Sequence, residues 1–165
     1  MKVLLLNGSP RKNGCTYTAL NVVADALKAE GIDAEVFQAG DPDMENVKAA
    51  AAKLKDSDAL VVGSPVYWAS PSGQIIEFMD RLASVAGKDM LYKPAAAVAS
   101  ARRAGTTATL DVLTKYFSYH QMPVVSSCYW NMVHGNTPEE VMKDEEGVQI
   151  MRVLGKNMAW LLKGM

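Results

Sequence analysis

Three short stretches of the 165-residue chain gather residue types that do chemistry at turns. The first, NGSPRKNGCTYT (residues 7–18), holds two glycines, the hydroxyls of Ser9, Thr16 and Thr18, the cations Arg11 and Lys12, and the thiol of Cys15. Glycines let a backbone approach a ligand closely. A helix opening near Cys15 would also aim free N–H groups and the positive end of its dipole at an anion. That is phosphate-binding chemistry, although Gly and Ser also build ordinary turns. Spacing narrows the phosphate. Five residues separate Gly8 from Gly14 and Cys15 stands where a Walker lysine belongs, so a nucleoside triphosphate is disfavoured. Ser9-Pro10 after Gly8 breaks the dinucleotide fingerprint G-x-G-x-x-G. A cysteine phosphatase wants arginine six positions after its nucleophile, where this chain has Asn21; a receiver domain wants clustered acids, where it has Asn7, Ser9 and Ser64. A monophosphate held by hydroxyls and amides, with no required metal, is what remains.

The second stretch, GSPVYWASPSG (residues 63–73), sets Tyr67 beside Trp68. Adjacent aromatics in a turn are costly to leave bare, and they suit either a flat ring or an interface between copies of the chain. The third, SARRAGTT (residues 100–107), brings Arg102 and Arg103 to a turn with Gly105, Thr106 and Thr107 opening the next helix. One of the two arginines is expected to be an ordinary surface charge. A monophosphate turn, an aromatic turn and a cationic small-residue turn at one edge of a fold describe flavin mononucleotide (FMN). An arginine near the N1/C2 carbonyl edge of the flavin would favour the negative charge that arrives on two-electron reduction.

These turns need strands and helices to hold them. Apolar runs at Lys2–Leu6, Ala34–Gln38, Ala59–Gly63, Ala95–Ser100 and Val124–Ser127 read as strands. Between and after them, Leu20, Val23 and Leu27, then Ile75, Phe78 and Leu82, then Leu110, Leu113 and Phe117, then Met151, Leu154, Met158 and Leu162 fall on helical faces. Continuous apolar strands joined by helices imply a parallel sheet covered on both faces. The expectation is a three-layer α/β sandwich with five parallel strands in the order 2-1-3-4-5, forming one domain over residues 1–165. Its ligand would sit beyond the carboxyl ends of the strands, where all three turns fall. The stretch AGDPDMENVKAAAAKLKDSD (residues 39–58) reads as structural, with Asp43 capping an alanine-rich helix.

Composition sets further bounds. A net charge of −1 gives no excess of cations for nucleic acid. The apolar runs are too short to span a membrane, and the N-terminus lacks the pattern of a secretory signal, so a cytoplasmic protein is expected. Cys15 and Cys128 are far apart and form no metal-ligand pattern, so both are expected to be reduced.

GSPRKNGCT, GSPVYWASPSGQIIEFMDR and SARRAGTT resemble the flavin-binding segments of the NADPH-dependent FMN reductase family, the flavodoxin-like branch that includes iron–sulfur flavoproteins. The similarity extends along the chain through YWNMVHG and DEEGVQIMRVLGKNMAWLL. It implies that Ser9, Arg11, Asn13, Cys15, Thr16 and Tyr17 belong to the phosphate segment. Pro65, Val66, Tyr67 and Trp68 would lie along the isoalloxazine, and Ala101, Arg102, Arg103 and Gly105 in the third segment. His134, in YWNMVHG, would lie near flavin or substrate, whereas His120 reads as a surface or packing residue. Two departures from the family pattern stand out. The cysteine cluster of iron–sulfur flavoproteins has no counterpart between the second and third strands, and Cys15 replaces a frequent asparagine. A thiol at a helix N-terminus can be redox-active, but a small residue beside the phosphate is the plainer role. The resemblance implies an FMN-dependent NAD(P)H oxidoreductase working by ping-pong on a quinone, nitro compound, free flavin or similar small acceptor, as a homodimer or larger homo-oligomer. The alternatives are a flavodoxin-type electron carrier and a flavin-binding module without turnover.

Overall fold

The computed structural model describes residues 1–165. Strand β1 (Lys2–Asn7) leads through a loop to α1 (Cys15–Ala29), β2 (Asp33–Gln38), α2 (Met44–Lys55) and β3 (Ala59–Tyr67). A two-residue β4 (Ser70–Pro71) turns back on β3, followed by α3 (Gly73–Met90), β5 (Ala95–Ala101), α4 (Thr106–Tyr119), β6 (Met132–His134), α5 (Pro138–Lys143) and α6 (Glu145–Gly164). The sheet runs β2-β1-β3-β5-β6, all parallel, with β4 antiparallel to the end of β3. This is the expected order of five parallel strands, with one short extra strand inserted.

The middle strands are apolar throughout because both sheet faces are covered. Val3 to Leu6 and Ala59 to Val62 have no exposed surface. One core, with Val3, Leu5, Val61 and Val98, packs against α1 and α6; the other, with Leu4, Leu6, Leu60 and Val62, packs against α2, α3 and α4. Small residues bring the layers close. Gly155 of α6 lies against α1, where an added Cβ would stand 2.6 Å from Ala26 Cβ and 2.8 Å from Val23 O. Asp43 caps α2 as its sequence suggests, accepting from Glu45 N at 2.9 Å. Ser72 caps α3, and that helix kinks at Ala86.

The fifth strand differs from expectation. Residues 124–127 make only an isolated parallel bridge, Val124 to Ala95. The chain then leaves the sheet, held by Ser127 Oγ donating to Ile150 O and Asn157 Nδ2 donating to Ser126 O. It rejoins as β6, where Met132, Val133 and His134 pair with Ala99, Ser100 and Ala101. Packing decides this: Val125 is buried, but Val124, Tyr129 and Trp130 are exposed, so 124–130 presents no continuous apolar run to the layers above and below. The rejoining strand carries the buried Met132 and Val133 instead.

Candidate functional site at the carboxyl edge of the sheet

The loop after β1 is fixed from both sides. Gly8 N donates to Gly63 O at 2.8 Å, and Ser72 Oγ donates to Gly8 O at 2.8 Å. A Cβ on Gly8 would lie 2.5 Å from Ile75 Cβ and 2.7 Å from Gly63 O, so only glycine fits there. Asn7 is fully buried at the end of β1. Its amide donates to Gln38 Oε1 (2.7 Å) and Lys12 O (3.2 Å), and its carbonyl accepts from Ser9 N (3.2 Å). Gln38, paired with Asn7 at the end of β2, donates through Nε2 to Ser9 O at 2.6 Å. Ser9 Oγ accepts from Arg11 N at 3.1 Å. The loop is therefore set by protein bonds alone before any ligand arrives.

Helix α1 starts at Cys15 behind Gly14, and no side chain caps it. The N–H groups of its first turn are left for another acceptor, and the dipole makes an anion the favoured one. Next to them, Thr16 Oγ1 and Ser100 Oγ share a buried hydrogen bond of 2.7 Å that ties α1 to the end of β5. A cleft of about 180 Å³ opens here. Its walls are Ser9, Arg11, Cys15 and Thr16 from the first turn, Pro65, Val66 and Tyr67 from the second, and Ala101 and Arg102 from the third. The three stretches thus meet at one place. Ser100, Gly135 and Asn136 complete the wall and were not picked out by sequence. Ser100 is the polar end of an otherwise apolar strand; Gly135 and Asn136 follow β6, whose position the sequence had misplaced.

Cys15 is a free, partly buried thiol. Burial pushes the thiol above its ordinary value, outweighing its backbone hydrogen bond and the nearby Arg11 guanidinium, and Glu140 and Glu139 push the same way. The thiol points to Gly135 O at 3.6 Å. It is a packing residue that joins α1 to the exit of β6. Those glutamates open α5, where Thr137 Oγ1 accepts from Glu140 N and the Glu140 carboxylate accepts from Asn136 N at 2.7 Å.

Six predicted site residues lie outside the wall. Asn13 and Arg103 are exposed, and Tyr17 is half-buried on α1. His134 turns toward Asp144, with Nδ1 3.8 Å from Oδ2. Trp68 and Gly105 serve a hairpin that joins β3 to β4. Trp68 (φ 53°) and Ala69 (φ 56°) are both left-handed, at a cost of about 1–2 kcal/mol each for residues with a Cβ. Gly105 (φ 99°) sits under this turn, where a Cβ would lie 2.7 Å from Ala69 Cα and 2.8 Å from Val66 Cγ1. His120, as its sequence position suggests, packs: it is buried with Nδ1 2.7 Å from Tyr116 O, which makes Nδ1 the protonated nitrogen.

A wider groove of about 660 Å³ runs between α3 and α4, lined by Asp80, Lys115, Tyr116 and His120. It lacks a helix N-terminus, a glycine turn and the strand ends where such folds bind ligands. The smaller cleft has all three, and an FMN phosphate fits its uncapped amides, hydroxyls and Arg11.

Comparison with known proteins agrees with this geometry. The family model described as NADPH-dependent FMN reductase matches residues 1–137. An iron-sulfur flavoprotein of Methanocaldococcus jannaschii is 29% identical over 189 residues, covering 99% of this chain and 98% of its own. An NADPH azoreductase of a Bacillus species (strain OY1-2) is 30% identical over 108 residues, covering 61% of this chain and 59% of its own. Among solved structures, a flavodoxin from the domain Archaea superposes with a TM-score of 0.74 at 18% identity over 99% of both chains, which makes the fold flavodoxin-like.

Proposed function

The chain belongs to the NADPH-dependent FMN reductase family, and from that premise we propose that it is an FMN-dependent NAD(P)H oxidoreductase that reduces a small acceptor such as a quinone or nitro compound in ping-pong fashion. The observation that carries this reading is the convergence of the uncapped α1 N-terminus, the Ser9 and Thr16–Ser100 hydroxyls, and Arg102 on one cleft. Bound there, FMN would supply two-electron redox chemistry. The protein's own part is positional and electrostatic. The α1 amides and Arg11 hold the phosphate. The volume of about 180 Å³ suits the phosphate and its polyol arm, and Tyr67 of the wall would offer an aromatic face to the rest of the cofactor. Arg102 balances negative charge in the cleft, and no side chain in the wall is needed as a nucleophile.

The test is anaerobic. Protein loaded with FMN and given NADH or NADPH is expected to lose its yellow absorption within seconds, and Arg102→Ala, which removes one exposed charge, to slow that loss by about tenfold, the equivalent of about 1.4 kcal/mol. A wild type that keeps its colour is a carrier of the flavodoxin kind or a module without turnover; a protein that retains no flavin defeats the proposal. A cytoplasmic homodimer belongs to the same proposal. The exposed, edge-to-face pair Tyr129 and Trp130 supports self-association, and two free cysteines fit a reducing compartment. Sedimentation and cell fractionation check these points.

A further inference from the structure

Trp68 is fully solvated: its relative exposure is 101%, the highest of any large apolar residue in the chain. It is not loosely held. It occupies the first of two left-handed positions in a two-residue hairpin turn flanked by the Tyr67–Ser70 pair. Asn-Gly is the residue pair such turns favour; Trp-Ala is a poor choice for the backbone. The second turn residue, Ala69, is pressed against Gly105, so the turn is anchored to the loop that carries Arg102 and Arg103. Tyr67 lines the cleft; the next residue, Trp68, is not part of its wall and stands in none of the aromatic pairs of this chain. A strained, clamped turn that holds a bare indole beside a cleft calls for a functional reason.

We infer that Trp68 is the platform on which the planar, uncharged electron acceptor stacks, and that it acts as a specificity-determining residue rather than as part of the phosphate or ribityl clamp. This rests on the oxidoreductase reading above. Charge assigns the acceptor rather than the nicotinamide donor. Residues 64–76, the whole hairpin and its flanks, carry no charged side chain. A dinucleotide with its phosphates is better served by the adjoining turn, which carries Arg102 and Arg103. An electron-poor, uncharged ring of the quinone or nitroarene type gains most from an indole face. Gly105 is the positioning residue, since a side chain there would displace the turn.

The experiment uses the full-length chain loaded with FMN, as wild type, Trp68→Ala and Trp68→Phe, with a 1,4-naphthoquinone and with ferricyanide as acceptors. In Trp68→Ala the KM for the naphthoquinone is expected to rise about five- to tenfold relative to the KM for ferricyanide, and Trp68→Phe to recover most of it. A second readout does not need turnover. Naphthoquinone should quench an indole component of oxidised wild-type fluorescence that is missing from Trp68→Phe, which keeps Trp130 and Trp160. Equal quenching in both proteins overturns the inference. So do an equal change for both acceptors, a rise in KM for the nicotinamide instead, loss of FMN from Trp68→Ala, and a change of sedimentation coefficient that reveals Trp68 to be buried by a second copy. If wild-type protein is not reduced by NAD(P)H, the oxidoreductase reading fails while the fluorescence titration still decides the platform.

Discussion

At the scale of single residues, the site is governed by groups that make room or supply amides more than by groups that ionise. Gly8, Gly14 and Gly105 let backbone meet backbone or ligand, and the thiol among the cleft residues is held away from its ionised form. That thiol is Cys15. A helix N-terminus lowers a thiol's pKa when the thiol is solvated, but here desolvation outweighs it and the group sits above its ordinary 9.0. In a Cys128→Ser background, alkylation of Cys15 by iodoacetamide is expected to rise with pH and to reach half its maximum above pH 9.0; a midpoint below that would make the thiol an activated one. Glycine and hydroxyl spacing made the turn after β1 legible in the sequence as a loop that leaves a helix N-terminus uncapped, because few arrangements of those residues leave backbone amides open. Trp68 and His134 could not be placed that way, since the direction of a side chain at a turn depends on one φ angle, and neither φ nor a partner such as Asp144 is written locally.

At the scale of elements, polar pairs stitch together pieces whose apolar faces are already committed to the core. Glu35 of β2 bonds to Lys53 of α2 and, at 3.0 Å, to Lys2 of β1, joining three elements at the sheet's amino edge. Lys53 first and then Lys2 hold its carboxyl below the ordinary 4.5. A lowered folded-state pKa means that this stabilisation is complete above about that value and is lost as pH falls through the lowered one. Glu35→Gln is therefore expected to cost about 0.5–1 kcal/mol at pH 7, given partial exposure of the pair, and the gap between the urea midpoints of variant and wild type should narrow as pH falls below 4.5. Strands β1, β3 and β5 were readable because each is a short apolar run buried on both faces, and β2, the partly buried edge strand, because Ala34, Val36 and Phe37 break its polar sequence. The last strand was not. Val124 to Ser127 looks like a strand by composition, but the ladder is completed by Met132 and Val133 after a six-residue excursion, and the choice between them rests on long-range packing against β5 and α6. The β3–β4 hairpin escaped for a different reason: Trp-Ala carries none of the Asn-Gly chemistry that marks such turns.

At the scale of the whole molecule, the fold places three distant turns on one edge, so a bound cofactor bridges segments up to about residue 136 and opposes unfolding of the domain as a unit. No helix is long and apolar enough to cross a membrane. With free FMN at 100 times its dissociation constant, stability should rise by about 2.7 kcal/mol, or about 5–11 °C in Tm for a chain of this size; calorimetry with and without FMN checks it, and no shift would mean that the cleft does not take the cofactor. The interrupted passage from Val124 to His134 has a consequence of its own. It forms one margin of the sheet, and a margin of unpaired N–H and C=O groups is a template on which another chain can add a strand. Here the template is a single bridge at Val124, a bulging detour tied down by Ser127 and Asn157, and then three residues. A second sheet would find no run long enough to pair with. The irregularity that hid the last strand from its sequence thus blunts this margin of the sheet, leaving the six-residue β2 as its one regular edge.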